Sequence, residues 1–194
     1  MKLRNMLYMA MFAAVVGVLG LLPPIPLPLS PVPITAQTLG VMLAGSLLGA
    51  RLAGGSMLLF VALIAAGMPL LAGGRGGIGV LIGPSGGYII AWPFAAFVIG
   101  LIVQTAKNQL SVSRAMLANI IGGIIITYAF GITYLSILTD ISWGAAAFSS
   151  IGFLPGDTIK AIIASYVAVK MARQYPVITK RKQNSRNRYN RAAG

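Results

Sequence analysis

Six long apolar stretches, separated by short polar or glycine- and proline-rich breaks, set the pattern of this chain. They fall at about residues 6–22, 35–50, 56–71, 88–105, 116–138 and 155–173. Roughly 20 apolar residues cross the hydrocarbon core of a bilayer as a helix. Lipid offers no partner for open backbone, so each stretch is expected to be a membrane-spanning helix. The breaks carry their own information. Pro23, Pro24, Pro26, Pro28, Pro31 and Pro33 fill an uncharged segment that lacks too many N–H donors to be helix. It is expected to be extended, at the membrane face or lying over the protein. Arg51 with Gly54 and Gly55 predicts a tight turn before the third span. Gly73, Gly74, Gly76 and Gly77 surround Arg75, and Gly83, Pro84, Ser85, Gly86 and Gly87 precede Tyr88. The residues between these groups (Ile78, Val80, Leu81, Ile82) are too apolar for a solvated linker. They predict a loop folded back over a cavity. Trp92 is expected near one membrane interface, and residues 144–152 form a short interfacial segment. Asn119, inside the fifth span, is expected to hydrogen-bond between helices.

Composition agrees with the pattern. Hydrophobic residues make up 57% and charged residues 9%, against about a quarter charged in soluble domains. The fold class expected is an all-α integral membrane protein, a six-helix bundle over residues 1–175 with a basic tail over 176–194. With no His and no Cys, thiol nucleophiles, His-based triads, disulfides and Cys/His metal sites are excluded. Two acidic residues leave little for a magnesium or calcium cage. No metal or cofactor is expected. The net charge of +13 is not a nucleic-acid signature. Lys180, Arg181, Lys182, Arg186, Arg188 and Arg191 lie in the tail, where they read as attraction to anionic lipid. Lys2, Arg4, Arg51, Lys107, Arg114, Lys170 and Arg173 flank apolar segments on one side of the bundle. By the positive-inside rule both termini are cytoplasmic. The proline segment, the Gly-rich loop and the start of the sixth span then share the outer face.

That start reads Phe-Leu-Pro-Gly-Asp-Thr-Ile-Lys over residues 153–160. Asp157 and Lys160 are three apart and share a helix face. An ionisable pair at a membrane helix's first turn is either a functional site or an interfacial pair snorkelling to water. Gln37, near the start of the second span, is either a cap-region residue or a ligand contact. In the first span Ala10 and Ala14 are four apart, and Ala13 and Gly17 repeat the spacing. Small residues so placed let another helix approach closely, within this chain or from a partner membrane protein. An outer-face pocket built from Asp157, Lys160 and Arg75 suits a small, mostly apolar molecule. It would carry N–H donors at one end and an anionic group elsewhere.

Four motifs become specific together: Pro31-Val-Pro-Ile-Thr-Ala-Gln-Thr-Leu39, Gly83-Pro-Ser-Gly-Gly-Tyr88, Asn119-Ile-Ile-Gly-Gly123 and the 153–160 stretch. In this order they resemble the BioY family, the biotin-specific S components of energy-coupling factor transporters. The resemblance runs from the first span to about residue 173, and position 85 is Ser where Thr is more usual. It implies a multi-pass protein of a prokaryotic cell membrane that captures biotin from outside. It further implies a partner module of one transmembrane coupling protein and two cytoplasmic ATPases, so that ATP is hydrolysed elsewhere and this chain is not an enzyme. The family's acidic-basic pair falls on Asp157 and Lys160, and its partner-docking pattern on Ala10 and Ala14. Gln37, Gly73, Gly74 and Tyr88 match motifs that line or cover the pocket. The alternatives are an S component for another vitamin, a stand-alone biotin carrier, and a membrane enzyme, which the missing nucleophiles disfavour.

Overall fold

The computed structural model describes residues 3–105 and 110–174. The tail from 176, together with Lys2 and Lys107, lies outside the described residues. The chain is mostly helical, at 76%. Three helical stretches are long and apolar enough to cross a membrane: Gly86–Gln104, Val112–Thr139 and Trp143–Ala172. Three shorter apolar helices accompany them: α1 (Leu3–Leu19), α2 (Gln37–Leu48) and α3 (Ala50–Ala65). Then follow α4 (Ile78–Leu81), α5 (Gly86–Gln104), α6 (Val112–Asn119), a π-helical segment (Ile120–Ile126), α7 (Thr127–Thr139), α8 (Trp143–Ser150), a 3₁₀ turn (Ile151–Phe153) and α9 (Leu154–Gln174).

The proline segment is extended, and it also pairs with itself. Strands β1 (Ile25–Leu27) and β2 (Ser30–Ile34) form an antiparallel hairpin, Ile25 opposite Ile34 and Leu27 opposite Ser30. The all-α expectation is corrected to this extent. A two-stranded ribbon leaves one side of each strand without a partner, and there a proline's missing N–H costs nothing.

The turn before the third helix also differs from expectation. It lies at Gly49, whose φ is +78°. Arg51, Gly54 and Gly55 are inside α3 instead. Gly54 faces Phe97 and the Pro93 carbonyl of α5, and Gly55 faces the Met9 sulfur of α1. These glycines serve helix contact rather than chain reversal. The third helix accordingly ends at Ala65 rather than near residue 71. Trp92 faces the bundle interior. It is buried, 4% exposed, and packs on Phe60 with ring centroids 5.9 Å apart.

Where helices cross, side chains are absent. A methyl group on Gly45 would stand 2.6 Å from Ile99 Cβ, and one on Gly100 would overlap the Ala50 nitrogen. Lipid supplies no hydrophobic drive for helix association, so close backbone contact and interhelical hydrogen bonds take that role. Asn119 carries one such set. Its Oδ1 accepts from the Ser46 hydroxyl at 3.1 Å and its Nδ2 donates to Ser165 Oγ at 3.0 Å, tying α6 to α2 and α9.

Glycine substitutions separate contact from open space. Gly100→Ala is expected to destabilise the detergent-solubilised protein by about 1–3 kcal/mol, the usual cost of overpacking. Gly144→Ala, which meets nothing within 4 Å, is expected to leave the thermal midpoint unchanged. Equal midpoints for the two variants would contradict this packing.

Candidate functional site

The site forms where α2, α7 and α9 begin and the hairpin ends. Pro155 occupies the first turn of α9, where a missing N–H is tolerated and φ is already helical. Asp157 follows within that turn and is 4% exposed. Lys160 Nζ donates to Asp157 Oδ1 at 2.8 Å, with the lysine side chain only 14% exposed. The pair therefore turns inward and does not snorkel. Lys160 also donates to the Thr35 carbonyl at 2.6 Å and to Thr38 Oγ1 at 2.9 Å. Thr38 in turn donates to Asp157 Oδ1 at 3.0 Å, and the Tyr128 hydroxyl donates to Asp157 Oδ2 at 2.7 Å.

Counting donors and acceptors shows what the cluster offers. An ammonium has three donors, and all three of Lys160 are taken. Oδ1 of Asp157 accepts twice. Oδ2 accepts once and retains an acceptor position. Toward a ligand the cluster presents acceptors and no free N–H.

Beyond it lies a cavity enclosing about 590 Å³ of space not filled by protein atoms, part of it open to solvent. Its walls are largely apolar: Val32, Pro33 and Ile34 of the hairpin, Leu71, Ile89, Trp92 and Phe153. Tyr88, Tyr128 and Phe153 meet edge to face in a triad with centroids 6.0–6.3 Å apart. The Tyr88 hydroxyl lies 2.7 Å from Ser150 Oγ, which itself donates to the Ala146 carbonyl, so Tyr88 is the donor between them. Elsewhere on the wall lie donors. Arg75 uses Nε on the Ala72 carbonyl at 3.1 Å, and its two terminal amino groups make no hydrogen bond among the described residues. The Ser85 hydroxyl, at the N-cap of α5, caps nothing.

The other sequence-selected residues divide. Gln37 lines the cavity but is only 1% exposed. It is the first residue of α2, and its side chain reaches a last-turn carbonyl of α1 rather than capping α2 itself. Its Nε2 donates to the carbonyls of Val16 and Leu70, and its Oε1 accepts from Ala72 N–H at 3.1 Å. It binds α1 and the loop before Arg75 to α2. Gly73 and Gly74 have φ of +78° and +69°, which turn the chain so that Leu71 and Arg75 pair. They are exposed and do not line the cavity. In α1 the two small-residue rows separate: Ala10 and Ala14 face outward, while Ala13 is buried and Gly17 packs on Leu70 and Phe60.

Sequence reasoning assigned no role in the site to Tyr128, Thr38 or Phe153. Tyr128 follows the π-helical segment, where Thr127 Oγ1 donates to the Gly122 carbonyl at 3.2 Å. The wider turn shifts the residues after it around the helix axis, a device common at functional sites. Regular helical spacing cannot place Tyr128 across such a segment. Thr38 was legible as the hydroxyl beside Gln37 at the same helix start.

A family model described as the BioY family matches residues 1–177. A biotin transporter BioY of Rhizobium etli is 42% identical over 186 residues, 93% of this chain and all of the relative. A probable biotin transporter BioY of Bacillus subtilis is 45% identical over 88% of this chain and 91% of its own length. Among solved structures, the S-component for biotin from an ECF-type ABC transporter superposes with a TM-score of 0.84 at 36% identity. That match covers 89% of this chain and 92% of the other. The chain that builds this buried carboxylate at the end of an apolar cavity belongs to the BioY family.

Proposed function

We propose that this chain captures biotin at the outer face of a prokaryotic cell membrane and delivers it through an energy-coupling factor transporter. The observation that carries the reading is the polarity of the cavity. One end, at Asp157 Oδ2 and Tyr128, presents acceptors. The walls are apolar and aromatic, and Arg75 and Ser85 supply donors elsewhere. Biotin has the matching order: a cyclic urea with N–H donors, an apolar bicycle and chain, and a carboxylate. In this reading Asp157 accepts from the urea N–H, and Tyr128 and Lys160 hold Asp157 in place. The aromatic triad and the hairpin enclose the ring system. Arg75, Ser85 or backbone N–H groups of the Gly-rich loop take the carboxylate, and that loop closes the site.

The same reading makes the six apolar helical stretches six spans, with both termini cytoplasmic. Arg4, Arg51, Arg114 and Lys170, all exposed, then sit at the cytoplasmic ends, where anionic lipid and the membrane potential favour cations. The outward row of Ala10 and Ala14 docks the transmembrane coupling protein, whose two ATPases supply the energy. The basic tail contacts lipid.

Two measurements test this. Asp157→Asn is expected to weaken biotin binding by the purified chain at least tens-fold, because the charged acceptor for the urea N–H is lost, worth about 1.5–3 kcal/mol. Calorimetric titration giving wild-type affinity would remove the urea assignment. Ala10→Leu with Ala14→Leu should leave binding intact and abolish uptake of labelled biotin into cells. Loss of both together would move these alanines from docking to folding.

A further inference from the structure

The charge count around Asp157 carries a consequence for selectivity. The charged groups lining the cavity are Asp157, Lys160 and Arg75. The Asp157–Lys160 pair is neutral as a unit. Lys160 spends its three donors on Thr35, Thr38 and Asp157, so it has none left for a ligand. It sits on one oxygen, Oδ1, while Oδ2 keeps the open acceptor position beside Tyr128. A ligand head that donates to Oδ2 therefore meets a carboxylate whose charge is already balanced 2.8 Å away. An uncharged donor loses little there. A cationic donor gives up its hydration for a site with no net negative charge, with the Lys160 ammonium on the same carboxylate, and like charges so placed are strongly disfavoured.

We infer that Lys160 is a specificity-determining residue acting through Asp157: by neutralising the carboxylate through its other oxygen, it restricts the site to ligands whose hydrogen-donating head is uncharged. The inference rests on the biotin reading proposed above and adds what the site rejects. Removing the ammonium while keeping the chain's bulk leaves a bare buried carboxylate, which favours a cationic head over a neutral one. Replacing it by another cation keeps the preference. A purely structural lysine would behave differently, since its loss would weaken every ligand alike.

The test uses biotin and 2-iminobiotin, in which a guanidinium replaces the urea, titrated at neutral pH into the full chain purified in detergent. Wild type and Lys160→Arg are expected to prefer biotin by about a hundredfold or more. Lys160→Met is expected to lose biotin affinity and gain 2-iminobiotin affinity, shifting the ratio by about a hundredfold. The inference is overturned if Lys160→Met weakens both ligands in proportion. It is also overturned if wild type binds 2-iminobiotin as tightly as biotin, a comparison that stands whether or not the variant folds. Failure of wild type to bind biotin at all would instead remove the reading beneath it, and this inference with it.

Discussion

A carboxylate withdrawn from water must be compensated locally, and this constraint organises the cavity end of the molecule. Asp157 is 4% exposed and receives hydrogen bonds from Thr38, Lys160 and Tyr128. Those three donors belong to α2, α9 and α7, so the cluster requires three helix starts to converge within hydrogen-bond distance. Burial of an ion pair is weak evidence for stability, because apolar residues of similar volume often do as well. The open acceptor on Oδ2 gives the pair a use that apolar residues cannot supply.

The rest of the fold holds that convergence. Gly45 lets α2 and Gly100 lets the start of α3 approach α5 at backbone distance, and Asn119 ties α6 to α2 and α9 away from the site. Gln37 fixes the loop before Arg75 to α1 and α2 with three hydrogen bonds. The same side chain therefore touches the cavity wall and the carbonyl of Val16 on the helix whose opposite face carries Ala10 and Ala14. The hairpin supplies a cavity wall that no helix could form from so many prolines.

Much of this was legible in the sequence, for physical reasons that can be named. Apolar run length marks the three helical stretches long enough to cross a membrane, since the bilayer sets the length. The three-residue spacing of Asp157 and Lys160 sets them side by side, because helix geometry is local. Asn119 in an apolar run has few choices except another helix. What was not legible is tertiary or depends on irregular backbone. The hairpin pairing needs register information that a proline count does not contain. Tyr128 reaches Asp157 after a π-helical segment, which no regular periodicity reveals. Trp92 was read from the general preference of tryptophan for interfaces, which does not reveal its packing on Phe60 in the bundle interior. Gly54 and Gly55 looked like a turn because glycine serves both turns and helix crossings, and only the neighbouring helices decide between them.

The most direct test of the account is a structure of the full chain with biotin bound. It predicts a urea nitrogen about 3 Å from Asp157 Oδ2, with Tyr128 still donating to that oxygen and Lys160 keeping its bonds to Thr35, Thr38 and Asp157. A biotin whose carboxylate lies on Lys160, with the urea turned toward Arg75, would contradict it.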